Sequence, residues 1–289
     1  MNIEVKIINA FALDGKGGNP AGVILNADQL SSVQKQTIAS KLAFPETAFV
    51  SKSDVADFKL DFFTPVKQIP HCGHATIGTF TYLKKNGLIR GLHSSKETID
   101  GTREIVFKNE HAFMEQKAPL YKIVEGNETQ AVLASLNFLA TDLLPGLSPT
   151  VVNTGNRFLI VPVKSETVLR GVAPDLEQVA SVSERFGLIG YYLYTPVNGE
   201  TFQATTRMFA PFYGISEEAA TGMAAGPLAC FLYDIVGQRK EKYRIEQGRF
   251  MHSPSRSLLE VHLMNENKTI QKIYVGGDAY VSSEISIEI

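Results

Sequence analysis

Apolar positions in this chain recur with two periods, one of two residues and one near 3.6, and the two alternate along its length. The first segment, Ile3 to Ala12, is rich in Ile, Val and Phe and predicts a strand. It runs into Asp14-Gly15-Lys16-Gly17-Gly18-Asn19-Pro20, a dense set of turn residues. Ser31 with Gln34 three positions on is a capping-box pattern. Leu30, Val33, Ile38 and Leu42 then follow at helical spacing, which predicts an amphipathic helix from Ser31 to Leu42. Pro45 closes it, because the residue before a proline avoids the helical region. Glu46 to Val50 predicts a strand. Phe58, Leu60 and Phe62 alternate with polar residues as a half-buried strand does, and Thr64-Pro65 stops it. Ile69-Pro70-His71-Cys72-Gly73-His74-Ala75-Thr76 then leads into a helix carried by Ile77, Phe80, Tyr82 and Leu83 and capped by Gly87. Arg103 to Phe107 and Ala112 to Gln116 predict two more strands.

The second half repeats this order. Pro174 to Phe186 predicts a helix with Gly187 after its last turn. Tyr191 to Thr195 and Phe202 to Phe209 predict strands, the second ended by Ala210-Pro211. Glu217-Glu218-Ala219-Ala220-Thr221-Gly222-Met223-Ala224 opens an apolar helix that reaches about Val236 and stops at Gly237. Strands follow at Lys242 to Glu246 and Leu258 to Leu263. Each half therefore runs helix, strand, strand ending in Phe-x-Pro, small-residue turn, apolar helix, strands. The two Phe-x-Pro elements are Phe63-Thr64-Pro65 and Phe209-Ala210-Pro211. The repeat predicts an internal duplication with two lobes, residues 1–120 and 121–289. Their boundary is expected near Pro119 to Asn127, where Pro, Gly and Asn gather, with the last strand free to return to the first lobe.

Composition narrows the class. The 289 residues carry 28 Lys+Arg against 30 Asp+Glu, and 44% are hydrophobic, which excludes a disordered or highly charged chain. A near-neutral balance offers no electrostatic footing for nucleic acid or an anionic membrane as partner. The longest apolar stretch, Met223 to Leu232, falls short of the ~20 residues that span a bilayer. Glu4 and Lys6 stand where a signal peptide would need an apolar core. Two cysteines far apart, Cys72 and Cys230, make no disulfide framework and fit a cytoplasmic protein.

The two small-residue turns, Cys72-Gly73-His74 and Thr221-Gly222-Met223, each open a helix. A helix N-terminus carries unpaired amides and the positive end of the helix dipole. Glycine lets a ligand approach that backbone, so two such ends could clamp a small carboxylate, or the glycines could only relieve crowding. Glu46 is either a carboxylate raised in pKa inside a cleft and able to move a proton, or an exposed strand-end glutamate. His74, at a helix start, is expected as a neutral imidazole that relays a proton or serves a structural hydrogen bond. Cys72 feels the same helix end, which lowers a thiol pKa, or is a small buried hydrophobe. Racemisation by two thiols would need a matching thiol on the opposite face. The second turn offers Thr221 there, and Cys230 lies about two helical turns further on. His71, Cys72 and His74 crowd together, but His93, His111, His252 and His262 form no second pair, so no metal site is expected. Neither a P-loop nor a dinucleotide fingerprint occurs in Gly15 to Gly22.

Several segments together carry a resemblance. They are Gly18-Asn19-Pro20-Ala21-Gly22-Val23, Glu46-Thr47-Ala48-Phe49-Val50, Phe63-Thr64-Pro65 and Cys72-Gly73-His74-Ala75-Thr76. In the second half they are Arg207-Met208-Phe209-Ala210-Pro211, Glu217-Glu218-Ala219-Ala220-Thr221-Gly222, Glu246-Gln247-Gly248 and Pro254-Ser255. In this order, over nearly the whole chain, they resemble the phenazine-biosynthesis isomerase family (PhzF-like proteins), which shares its fold with diaminopimelate epimerase. The resemblance implies an α+β fold of two pseudo-symmetric lobes, each a curved β-sheet or barrel around a central helix, with the active site between them. It implies a homodimer without metal or organic cofactor, and isomerisation of a dihydro-hydroxyanthranilate by proton shift between carbons. Glu46 matches the glutamate that takes and returns the proton, and His74 and Glu218 match further site residues. The Gly73 and Gly222 amides match carboxylate contacts, Cys72, Thr221 and Met223 beside them are expected to bind substrate, and Asn19 falls in a loop lining the cleft. The chain departs from the family pattern where Glu218 replaces aspartate, Ala219 proline and Met223 serine. His252-Ser253 also stands where many members have Gly-Arg before Pro-Ser.

These readings converge on a cofactor-independent isomerase or epimerase of a small carboxylated metabolite, with a glutamate acid/base. The alternatives are a noncatalytic small-molecule-binding relative and a thiol-based racemase working through Cys72.

Overall fold

In the computed structural model, which describes residues 2–197 and 201–289, β1 (Asn2–Ala10) is flanked on both sides by antiparallel partners. One is β2 (Asn19–Ile24); the other is the last strand of the chain, β18 (Ala279–Glu288). Contacts divide the chain into two units, Met1–Glu115 with Gly276–Ile289, and Gln116–Val275.

In the first unit β2 runs parallel to β3 (Thr47–Ser51), and the crossover between them is α1 (Ser32–Leu42). β3 pairs antiparallel with β4 (Phe58–Phe63). β4 meets β5 (Gln68–Ile69) and runs parallel to β6 (His93–Thr98), with α2 (Gly73–Lys85) as the crossover. β6, β7 (Gly101–Lys108) and β8 (His111–Gln116) complete an antiparallel meander. Ten of the residues of α2, from Gly73 to Leu83, are buried, so strands enclose this helix over most of its surface.

α1 begins as its sequence requires. The Ser31 hydroxyl accepts the Gln34 N–H, and the Gln34 side chain accepts the Ser31 N–H. Its buried face is Lys35, Ile38 and Ala39, and Val33, expected on that face, is 77% exposed. Val33 sits on the first turn, before the helix reaches the core of Val5, Ile24, Ile38 and Phe49. The helix stops at Ala43, which adopts φ 53° and returns its N–H to Ala39, two residues ahead of Pro45. Phe44-Pro45 then carries the chain to Glu46, whose carbonyl accepts the Gly22 N–H at 3.2 Å. A Cβ on Gly22 would stand 3.1 Å from the Thr47 hydroxyl, so glycine lets β2 lie close against the start of β3.

The second unit starts with β9 (Leu120–Ile123), α3 (Gly126–Ser135), β10 (Thr150–Asn153) and β11 (Arg157–Pro162). α4 (Glu166–Gly171) and α5 (Leu176–Phe186) precede β12 (Gly190–Pro196), β13 (Ala204–Ala210) and β14 (Ile215–Glu218). α6 (Gly222–Asp234), β15 (Lys242–Gln247), β16 (Ser257–Glu266) and β17 (Thr269–Gly277) follow. Its pairings repeat those of the first unit. β11 and β12 are parallel, β12 and β13 antiparallel, β13 and β15 parallel across α6, and β15 and β16 antiparallel. α6 is apolar nearly all round and buried from Gly222 to Tyr233 apart from Met223. The expected duplication is therefore present in the strand order itself.

The expected linker is not. Leu120–Ile123 is a strand paired with β10, and Gly126 opens α3. β9 leaves Leu120 and Ile123 exposed, so it lacks the buried alternation by which a strand is read. The division falls after Glu115 rather than at 120, and the tail from Gly276 belongs to the first unit through the β1–β18 ladder. Among the described residues no helix is long and apolar enough to cross a membrane.

Because the Ser31 hydroxyl and the Gln34 side chain cap the start of α1 reciprocally, Ser31→Ala should lower stability by about 1 kcal/mol. Urea denaturation checks this; a loss below a few tenths would mean the cap does not hold the helix.

Candidate active site

Glu46 follows a left-handed helix end and precedes an almost wholly buried strand, so its side chain enters the protein rather than solvent. It is 13% exposed. Burial raises its carboxyl pKa from the ordinary value to about 7, since the charged form loses solvation. Its Oε2 lies 3.4 Å from Nε2 of His74, the second residue of α2, which is 4% exposed. On the other side of that imidazole, Nδ1 lies 3.6 Å from the Cys72 thiol. Cys72 is the N-cap of α2 and accepts the Thr76 hydroxyl at its carbonyl, at 2.6 Å. Carboxylate, imidazole and thiol thus stand together at the amide end of an enclosed helix.

Donor atoms of Glu46, Cys72 and His74 all lie within 4.8 Å of one another, close enough for three metal ligands. The imidazole, however, turns a different nitrogen to each neighbour. The three groups form one compact cluster in which the imidazole can pass a proton or be fixed in one tautomer. Asn19 is buried in β2 opposite Ala10, three residues before the Gly22 that bonds Glu46.

A fully buried lysine lies behind the helix start. Lys96 Nζ on β6 is 3.0 Å from His71 Nδ1 and 2.8 Å from the Thr76 hydroxyl, and 5.1 Å from the centre of the Phe62 ring. Burial lowers its pKa to about 7, opposed by the Cys72 thiol. Burial and the nearby lysine lower His71 to about 3, so His71 is neutral and its Nδ1 accepts.

In the second unit Glu218, Thr221, Gly222 and Met223 form one turn at the start of α6. The Thr221 hydroxyl donates to the Glu218 carboxylate. Asn156 Nδ2 lies 3.4 Å from the Met223 sulfur, and the Gly222 carbonyl accepts Gln116 Nε2 at 3.0 Å. The whole turn is held by Gln247. Its Oε1 accepts the Thr221 N–H at 3.0 Å and the Tyr192 hydroxyl at 2.9 Å; its Nε2 donates to the Glu218 carbonyl at 2.8 Å. Gly248 follows with φ 78°, where a Cβ would fall 2.7 Å from the Ala219 carbonyl and 2.1 Å from that of Ser255. Next to the His252–Ser255 stretch, Arg256 pairs with buried Glu246, and Arg249 comes within 3.8 Å of the same carboxylate. Cys230 is buried in α6, and burial pushes its thiol pKa well up, away from thiolate chemistry. A surface cavity of about 330 Å³ in this unit, lined by residues including Tyr121, Arg157, Arg185 and Phe186, contains none of these groups.

The expected site residues thus fall into two groups. Glu46, Cys72, Gly73 and His74 gather in the first unit, and Glu218, Thr221, Gly222 and Met223 in the second. Lys96 and Gln247 were not expected. Gln247 lies one residue past the strand predicted at Lys242 to Glu246 and stands in the Glu246-Gln247-Gly248 motif, but Lys96 lies in the polar run His93–Thr98, which carries no apolar alternation.

The family model for phenazine biosynthesis-like proteins (PhzC-PhzF) matches residues 8–284. The chain belongs to this family. Among its PhzF relatives is an uncharacterized isomerase, YddE, of Escherichia coli K12, 30% identical over 301 aligned positions that cover 100% of each chain. Another is trans-2,3-dihydro-3-hydroxyanthranilate isomerase of Pseudomonas chlororaphis, 31% identical over 242 positions, 78% of each. The crystal structure of a PhzF-family phenazine biosynthesis protein from Bacillus anthracis superposes with a TM-score of 0.89 at 29% identity, covering both chains fully. Membership places the chain among the PhzF isomerases and accounts for the paired enclosed helices.

The raised Glu46 pKa has a thermodynamic sign. A carboxyl protonated more readily in the folded state makes stability fall as pH rises from about 4.5 to about 7. Glu46→Gln removes that penalty. Its gain over wild type in chemical denaturation should be roughly 2–3 kcal/mol greater at a pH above 7 than at acid pH. An equal effect at both pH values would show that the carboxyl is not perturbed.

Proposed function

We propose that this PhzF-family protein is a cofactor-independent isomerase or epimerase that moves a proton between carbons of a small carboxylated metabolite. Glu46 is the acid/base. The observation that carries the reading is this buried carboxyl, held against His74 with a pKa near 7. A base poised near the working pH combines a usable ionised fraction with enough basicity to take a proton from carbon, and returns it equally well. His74 orients the carboxyl and takes up part of its charge change. The amides that open α2, at Gly73, bind the substrate carboxylate, because helix N-termini favour anions. Asn19 adds a polar contact from β2. The Pseudomonas chlororaphis relative's name supports a cyclic amino acid as the substrate class, and the changes at Glu218, Ala219 and Met223 support a substrate differing from that relative's.

Solvent-deuterium incorporation followed by NMR tests the reading. The protein is incubated in heavy water with a panel of cyclic and amino-containing carboxylic acids, trans-2,3-dihydro-3-hydroxyanthranilate included. Deuterium should appear at carbon. Glu46→Gln should cut the rate by about 10²–10⁴-fold while keeping ligand binding. For wild type, kcat should rise with pH as Glu46 ionises in the substrate complex. Full activity in Glu46→Gln would overturn the assignment. Binding of an acid without label would establish the noncatalytic alternative. Cys72→Ala should retain exchange within about an order of magnitude, since the thiol is not the base; abolition would favour the thiol racemase instead.

A further inference from the structure

Each unit braces the start of its enclosed helix from the strand that follows it, and the two braces differ in charge. In the second unit β15 runs parallel to β13 across α6 and supplies Gln247, a neutral amide with hydrogen bonds at both ends. In the first, β6 runs parallel to β4 across α2 and supplies Lys96. Lys96 is 0% exposed. Its two hydrogen-bond acceptors are neutral, the His71 ring and the Thr76 hydroxyl. The Thr76 hydroxyl in turn donates to the Cys72 carbonyl, so the ammonium, the hydroxyl and the N-cap peptide form one hydrogen-bonded chain. The titratable groups facing Lys96 are Asp100 and Arg103, which bond each other, and the Cys72 thiol. The aromatic face of Phe62 completes the surroundings.

A lysine buried among neutral acceptors is costly, and an apolar or amide side chain could fill the same space at less expense. Its position behind a helix N-terminus adds positive charge to positive dipole. Both terms are relieved by an anion held at that helix end.

We propose that Lys96 is a positioning residue for this site: its ammonium fixes the Cys72–Gly73 helix start through Thr76 and makes that end of α2 selective for a carboxylate over a neutral isostere. The choice of carboxylate rests on the function proposed above. Lys96 does not touch the ligand; it acts through Thr76, the Cys72 peptide and its charge. Anion binding favours the charged lysine, so it draws a proton into the protein at a pH where Lys96 is partly neutral. With Lys96 titrating near 7, carboxylate affinity rises as pH falls through that region.

The test uses anthranilate as probe and anthranilamide as its neutral isostere, measured by calorimetry on full-length protein. Both are measured in the Glu46→Gln background, so that the Glu46 carboxyl does not titrate. Lys96→Met should weaken anthranilate by about tenfold or more and leave anthranilamide within about twofold. Anthranilate affinity with Lys96 present should rise from about pH 8.5 to about pH 6, and the Met variant should flatten that profile. Lys96→Gln, which keeps a hydrogen-bond donor, should restore thermal stability but not anthranilate affinity. Cys72→Ala should keep the Lys96 dependence.

Equal weakening of both ligands, an unchanged pH profile in Lys96→Met, or no anthranilate binding in the presence of Lys96 would overturn the assignment. So would a Lys96 effect that disappears with Cys72→Ala, which would mean the cation serves the thiol. If neither Lys96 variant folds, proton uptake on anthranilate binding, read in buffers of different ionisation enthalpy, decides the matter in the Lys96-containing protein, and absence of uptake overturns it. Lys96-dependent binding without exchange on any acid would defeat the isomerase reading and leave this one standing. Exchange and anthranilate affinity both undiminished in Lys96→Met would do the reverse.

Discussion

A helix enclosed by strands on almost every side has only its ends left for chemistry, and that constraint organises this protein. α2 and α6 bury nearly all their side chains, so their residues are chosen for packing: Gly, Ala, Thr and Phe in one, Ala, Leu, Cys and Phe in the other. Ionisable side chains are displaced to the first turn and to the strands that meet it. Glu46 arrives there because α1 ends two residues before Pro45 and β3 begins just after it. His74 arrives as the second residue of α2 itself. An ionisable group delivered to such a place is desolvated by the fold, so one constraint sets both where Glu46 sits and how it titrates.

What could be read from the sequence was what is local. The cap at Ser31, the stop before Glu46 and the Cys72-Gly73 turn are each written within a few residues, and each recurs in the structure. The duplication was legible because both copies keep the same order of helix, Phe-x-Pro strand and small-residue turn. Non-local pairing was not legible. β9 is a short strand with exposed apolar residues, and it read as a linker because its partner β10 lies about thirty residues away. β6 is a polar hexapeptide whose one fully buried member is a lysine, and nothing in its neighbours along the chain announces that. Only the parallel pairing across α2 carries Lys96 beneath the helix start. The expected proximity of Glu46 and His74 had the same weakness and was carried by the resemblance alone.

The two units show how duplicated scaffolds come to differ. A neutral brace such as Gln247 can satisfy every hydrogen bond it makes, and its Tyr192 and Thr221 partners leave it no unmet demand. Its work is to hold a turn in shape, helped by a glycine whose Cβ would collide with the same turn. A charged brace cannot be satisfied by neutral acceptors in the same way, since the unmet part of its demand is electrostatic and reaches past its hydrogen bonds. Retaining lysine at Lys96 therefore makes sense only if that field is used. The nearest groups able to use it are those at the first turn of α2, where a carboxylic acid, an imidazole and a thiol already stand within 4.8 Å of one another. The neutral Glu46 carboxyl favoured by burial and the positive field behind His74 are compatible, because an uncharged acid leaves the field free for the anionic end of a ligand. Burial alone accounts for the raised Glu46 pKa, so on the proposed reading the two groups divide the work, Lys96 serving binding and Glu46 proton transfer.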